Sequence, residues 1–324
     1  MLSIILGSDR PAMRMMSSSI HLKKSIEHAS MSCSEPQEPT QSRPAEAMTG
    51  IEKILMKEKP EVALIQGDTN TVPVGALVAS RLHIKISRIE ADLRSFDRQM
   101  PEEINRFVTD HISDRLSAPT ETAWQNLIKG GIREEEIFIT GNTIVDAVLQ
   151  NLVMVRKKVS ILQKMCLASQ EYFLATAHRA ENVDIKERFK GVLEGPFIIC
   201  NEFSLPVIFA MHPQTVRVLQ TFNLSVDKIQ NIKRLEHLEF PQFKSNARLV
   251  LTDFCGLQEE ACILGVPCVT LRDNTERPET LEVGANVLAG TNPGEMVSCV
   301  KKSLDSSLNW RNPFGGWLCR AEDW

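Results

Sequence analysis

Four stretches of the chain gather the residue types that proton transfer and anion binding require. Gly67-Asp68-Thr69-Asn70-Thr71 joins an apolar run to a helical one. Asp68 supplies a carboxylate there, and helix-opening N–H groups favour anions. Taken alone, a helix cap by Asp68 or Thr69 is the simpler reading. Glu90 ends the apolar run Ile84–Glu90, where packing gives a carboxylate little reason to be. Arg94 follows, then Pro101-Glu102-Glu103-Ile104-Asn105-Arg106. Glu102 and Glu103 also suit the first turn of a helix, and Arg106 stands one turn on, in reach of an intrahelical pair. Carboxylates converging with an arginine would suit proton transfer beside a phosphate. The third stretch, Thr176-Ala177-His178-Arg179-Ala180-Glu181-Asn182, holds a histidine able to move a proton near neutrality. A lone histidine decides nothing; its place after an apolar run gives it weight. The fourth is the densest. In Asp253-Phe254-Cys255-Gly256 a helix begins near Gly256 with N–H groups free for a diphosphate, and Glu260, one turn in, is placed to accept from ribose hydroxyls. Arg277, in Leu271–Glu279, either holds a phosphate or orders the helix that follows. A charged surface loop is the bland alternative.

These residues need a scaffold that brings strand ends together, and the chain's periodicity supplies one. From about Ile51, helical spacing alternates with short β-branched runs, the pattern of a parallel α/β sheet. Strands are expected at Glu61–Gln66, Ile84–Glu90, Arg115–Ala118 and Ile137–Thr140, with helices at Ile51–Lys59, Thr71–Leu82, Pro101–Asp114 and Glu121–Lys129. A helix over Ile144–Lys157 leads to a second series, with strands at Tyr172–Thr176, Pro206–Ala210, Arg248–Asp253, Val266–Leu271 and Asn286–Leu288. Two Rossmann-like, doubly wound halves with a ligand cleft between them fit this better than one large sheet. The expected division is 49–150 and 151–324, preceded by a degenerate segment, 1–48. Within that segment Met1–Gly7 reads as a strand. Ser30–Ala47 carries three prolines and little apolar content, the composition of a linker.

Composition excludes several classes. The chain has 324 residues, 43% hydrophobic and 24% charged, with 37 basic against 41 acidic side chains. A net charge of −4 offers no polycationic face to nucleic acid or to an anionic membrane. No apolar run reaches the length of a membrane span. Eight cysteines lie scattered without metal-ligand spacing, several in apolar surroundings, which points to a reducing, cytoplasmic setting.

Read in order, QGDTNT (66–71), IEADLR (89–94), MPEEINR (100–106), APTETA (118–123), ITGNTIVDA (139–147), TAHRAENVD (176–184), GLQEEACILGVPCVTLRDNTERPE (256–279) and GANVLAGT (284–291) resemble the non-hydrolysing UDP-N-acetylglucosamine 2-epimerases. The resemblance implies a GT-B type pair of Rossmann-like domains, and interconversion of UDP-GlcNAc and UDP-ManNAc without redox cofactor or metal. The route in that family eliminates UDP across carbons 1 and 2 and re-adds it after proton exchange at carbon 2. It implies Asp68, Glu90, Glu102 and His178 as the catalytic group, and Arg10, Arg106, Gly256, Glu260 and Arg277 as binders of UDP. A homodimer and a place in the synthesis of surface glycans are implied as well. The chain departs from the family at several points. Asp92 replaces the glycine of EAGLR, and Phe254-Cys255 stand within what is otherwise DSGG. The amino-terminal GTRPE turn survives only as Gly7-Ser8-Asp9-Arg10-Pro11-Ala12, and a GQHY-type segment is absent. The segment near Leu238–Lys244 is shortened, and the tail after Asn312 diverges. A nucleotide-sugar-binding homologue with impaired catalysis, and a hydrolysing relative that releases UDP and ManNAc, are therefore the alternative expectations.

Overall fold

The structure is a computed structural model that describes residues 3–7, 42–156, 162, 165–211, 213–224, 232–235, 240–306 and 309–315. Arg10 and most of the polar stretch lie outside the described residues. The chain forms two compact units. The first reaches Ala147 and takes back the segment beginning at Phe314; the second is Val148–Pro313.

Unit 1 holds β1 (Ser3–Gly7), β2 (Val62–Gln66), β3 (Lys85–Ile89), β4 (Arg115–Ala118) and β5 (Ile137–Ile139), all parallel and side by side in chain order. Between them run α1 (Ser42–Glu58), α2 (Thr71–Arg81), α3 (Pro101–His111) and α4 (Glu121–Lys129), and α5 (Ile144–Arg156) leads on to unit 2. Parallel strands covered on both faces are largely apolar, and Ala63, Ile65, Ile86, Ile89 and Leu116 are all buried. One expectation is corrected here. Ser42–Ala47, read as linker, forms the opening of α1, which therefore begins nine residues before Ile51. Pro44 sits in the first turn, where no intrahelical N–H is required, and Ala47 packs against the core under β2.

Unit 2 holds β6 (Phe173–Thr176), β7 (Val207–Ala210), β8 (Ile232–Leu235), β9 (Leu249–Thr252), β10 (Cys268–Thr270) and β11 (Asn286–Leu288). Its helices are α6 (Ala180–Val183), α7 (Lys186–Phe203), α8 (Pro213–Thr221), α9 (Phe240–Asn246), α10 (Cys255–Leu264), α11 (Pro278–Glu282) and α12 (Pro293–Asp305). The parallel sheet runs β11-β10-β9-β6-β7-β8, so chain direction reverses between β6 and β9. That switch point opens a crevice at the strands' carboxyl ends. Side chains alternate across the sheet: Phe173, Ala175, Val207, Phe209, Leu249 and Leu251 enter one core, and Leu174, Ile208 and Val250 the other.

Two features escape the sequence pattern. β8 is four residues long with two cations, too short and polar to signal a strand. The tail, expected in the second domain, returns at Phe314 to unit 1: Phe314 is buried, and its carbonyl accepts from the Asn142 N–H at 3.1 Å. Among the described residues no helix is long and apolar enough to cross a membrane.

The core of unit 2 sets a packing limit that can be tested. Gly191 on α7 lies so close to the Thr291 carbonyl oxygen that an added Cβ would overlap it. The obstacle is backbone, which cannot turn aside as a side chain would. Gly191→Ala should therefore cost about 1–3 kcal/mol of stability in urea unfolding, whereas Gly50→Ala, with open space around it, should leave the midpoint unchanged or raise it slightly.

Candidate active site

In unit 1 the acids gather at the carboxyl ends of β2 and β3. Glu90 follows the last residue of β3 with φ of +57°, left-handed backbone that costs an ordinary side chain of order 1 kcal/mol. The side chain is buried. Its Oε1 accepts from Gln66 Nε2 at 2.7 Å and Thr143 Oγ1 at 3.0 Å. Gln66 closes β2, and Thr143 follows β5, so three loops converge on one carboxylate oxygen.

Asp68 lies just beyond β2. Asn70, the N-cap of α2, makes no side-chain capping bond. The Asp68 carboxylate instead accepts from Arg106 Nη2 at 2.8 Å, and its carbonyl accepts from Asn105 Nδ2 at 2.9 Å. Arg106 also pairs with Glu103, at 3.6 Å and one turn back along α3. The intrahelical pair and the longer-range pair therefore coexist. Glu103 is buried and takes the Arg94 Nε at 2.5 Å on one oxygen and the Ser95 N–H at 3.0 Å on the other. Its neighbour Glu102 is half-buried in the first turn of α3.

A second acid joins this cluster from behind. Asp110, on the same helix, is buried, accepts from Arg88 Nε at 3.1 Å and from the Asp92 N–H at 3.1 Å. Burial pushes its carboxyl above the usual range, against the pull of Arg88. Gln66, Thr143, Arg88 and Asp110 were not singled out from sequence. The available signal is Gln66 at the end of an otherwise apolar strand; Arg88 lies in a strand that also holds Lys85 and Ser87 and carries no such signal.

In unit 2 the organiser is Asp253, completely buried at the end of β9. It accepts from the His178 N–H at 3.1 and 3.0 Å, from the Arg179 N–H at 3.0 Å and from Asn182 Nδ2 at 3.1 Å. One carboxylate thus fixes the loop after β6 to the loop after β9, across the switch point. His178 Nδ1 stands 3.5 Å from the same carboxylate. Arg179 reaches the Cys255 Sγ at 3.6 Å and lies 3.8 Å from Glu276.

Phe254 is the N-cap of α10, with its N–H donating to Thr252 Oγ1 at 3.0 Å. Its ring folds back over the helix opening. A Cβ added at Gly256 would meet the ring at 3.0 Å, and the ring centroid lies 5.2 Å from that of His178. Phe254 remains 38% exposed, so a partly exposed aromatic side chain stands beside the opening of α10. Glu260 pairs with Lys244. Arg277 is 1% exposed and bound to Glu259 Oε1 at 2.5 Å. Burial alone would lower its guanidinium, but Glu259 and its neighbours hold it above its ordinary value. Of the two readings of Arg277, the geometry favours ordering the loop and the helix α11 that begins at the next residue. Arg106, 2% exposed, is likewise committed to protein carboxylates.

Comparison with known proteins identifies the family. The family model described as UDP-N-acetylglucosamine 2-epimerase matches residues 5–317. A UDP-N-acetylglucosamine 2-epimerase of Methanocaldococcus jannaschii is 54% identical over 272 residues, 82% of this chain and 74% of that protein. One from Methanococcus maripaludis is 53% identical over 273 residues, with the same shares. The crystal structure of the Methanocaldococcus jannaschii UDP-GlcNAc 2-epimerase in complex with UDP-GlcNAc and UDP superposes with a TM-score of 0.84 at 45% identity, covering 97% of this chain and 95% of that one. Two parallel-sheet α/β domains with these strand ends are consistent with the GT-B type. The chain belongs to the UDP-N-acetylglucosamine 2-epimerase family.

Proposed function

We propose that this chain interconverts UDP-GlcNAc and UDP-ManNAc. The observation that carries the reading is the family match across residues 5–317. The geometry supports it by gathering Asp68 and Glu103 with Arg94 and Arg106 in one network, with Glu90 held separately by Gln66 and Thr143, around the ends of β2 and β3. Atoms balance in two steps. A carboxylate removes the proton from sugar carbon 2 as the bond from carbon 1 to the diphosphate breaks, giving 2-acetamidoglucal and UDP. Re-addition of UDP at carbon 1, with a proton delivered to carbon 2 from the opposite face, gives the epimer. Two faces need two proton-bearing groups, drawn from the catalytic group Asp68, Glu90, Glu102 and His178.

Departing UDP develops negative charge, which is assigned to the opening of α10, near Gly256. Glu260 is assigned to ribose hydroxyls, which requires Lys244 to share it. Arg10 is assigned to the diphosphate and lies outside the described residues. Arg106 and Arg277, expected to bind UDP, are each paired with a protein carboxylate, Asp68 and Glu259, and are assigned to order the site through those partners. The reading includes a homodimer in the cytoplasm, with products passing to surface-glycan synthesis. Light scattering of the purified chain tests the dimer.

A second reading rests on Phe254. Its ring lies close to Gly256 at the α10 opening, where diphosphate N–H contacts are expected, which favours a homologue that binds nucleotide sugars but turns them over poorly. One experiment separates these. Purified protein with UDP-GlcNAc in deuterated water should place deuterium at carbon 2 of both epimers while free UDP stays constant. Glu90→Gln should lower that exchange by roughly 10²–10⁴-fold with little change in folding. UDP binding by calorimetry without exchange supports the second reading. UDP accumulating with time indicates hydrolysis.

A further inference from the structure

Asp92 stands where the family motif has glycine, and its surroundings give the substitution a physical consequence. Its φ is +57°, so the left-handed backbone a glycine would supply is kept, in a residue type that tolerates it better than most. The side chain is buried. Its Oδ1 lies 3.5 Å from Arg94 Nη1, and its Oδ2 makes no well-formed hydrogen bond. Its own N–H is held by Asp110 on α3, whose other oxygen takes Arg88 from β3. Asn126 of α4 also favours the charged form. From α3, Glu103 and Arg106 complete the charges in this region, and Arg106 passes the network to Asp68. Three guanidinium groups (Arg88, Arg94, Arg106) thus face four carboxyl groups (Asp68, Asp92, Glu103, Asp110). Removing one negative charge balances the set, and Asp92 has the poorest partners.

We propose, resting on the epimerase reading, that Asp92 is a positioning residue for the proton-transfer acids: as an uncharged carboxyl it leaves Arg94 committed to Glu103, and its ionisation draws Arg94 away and loosens the Glu103–Arg106–Asp68 chain. Burial and then the Asp110 charge push the Asp92 carboxyl up to about 8, against Arg94 and Asn126. The switch therefore lies just above neutrality. Between about pH 4 and 8 the folded state holds a proton that the unfolded chain releases, so this group's contribution to stability falls as pH rises through that window.

The test compares wild type with Asp92→Asn, which keeps the size and the left-handed backbone but cannot ionise. Exchange at carbon 2 is followed from pH 6 to 10. Wild-type kcat should fall above pH 8, and Asp92→Asn should hold its rate to a higher pH. At pH 9.5 the variant should exceed wild type by on the order of tenfold or more. Coincident alkaline limbs overturn the proposal. Melting temperature gives a readout independent of turnover: the advantage of Asp92→Asn should widen from pH 5 to 8.5, and a constant difference overturns the proposal even where exchange is normal. No exchange at any pH, with the melting shift intact, overturns the epimerase reading and with it the positioning role, while sustaining the protonated Asp92.

Discussion

A guanidinium with almost no surface must be answered by carboxylates, and Arg106 imposes that condition on unit 1. It binds Asp68 at 2.8 Å and Glu103 at 3.6 Å, so one α3 side chain ties the end of β2 to the helix that follows β3. Such buried pairs rarely add net stability over apolar packing, yet losing one partner costs roughly 3–5 kcal/mol because the other charge is stranded. Their value here is orientation. Asp68 is held at a fixed place by a group that cannot be deprotonated, and Glu103 passes the same constraint to Arg94 and to the Ser95 N–H.

Unit 2 anchors its organising carboxylate by hydrogen bonds rather than by a guanidinium. Asp253 is answered by two backbone N–H groups and an amide, all from the segment after β6. The switch point of the sheet is thereby closed by hydrogen bonds that fix His178 and Arg179 beside the opening of α10. A single aromatic ring then changes what that opening can do. Phe254 lies over Gly256 and against His178, replacing a polar rim with an apolar one. The two units differ in what their loops hold: left-handed backbone at Glu90 and Asp92 in the first, an aromatic ring beside the opening of α10 in the second.

Much of the fold was legible because both sheets are parallel. Strands buried on two faces leave apolar runs such as Phe173–Thr176 and Leu249–Thr252 that stand out against helical spacing. Where that physics weakens, so does the pattern. β8, with Lys233 and Arg234 in four residues, carries no such run, and the polar first turn of α1 looks like linker because solvent-facing helix and linker share a composition. The candidate residues were legible as types, since Asp68, Glu90 and His178 each follow an apolar strand. Their partners were not. That Arg277 turns inward to Glu259, or that Gln66 and Thr143 share one oxygen of Glu90, depends on side chains far apart in sequence.

The central claim is that Arg106 works through Asp68, and a double-mutant cycle measures it. Asp68→Asn, Arg106→Lys and the pair are compared by kcat for proton exchange at sugar carbon 2, on protein whose folding is verified by circular dichroism. If Arg106 acts by orienting Asp68, the double variant is scarcely slower than the slower single one, leaving a coupling of order 1–3 kcal/mol. Independent, multiplying losses would contradict the account.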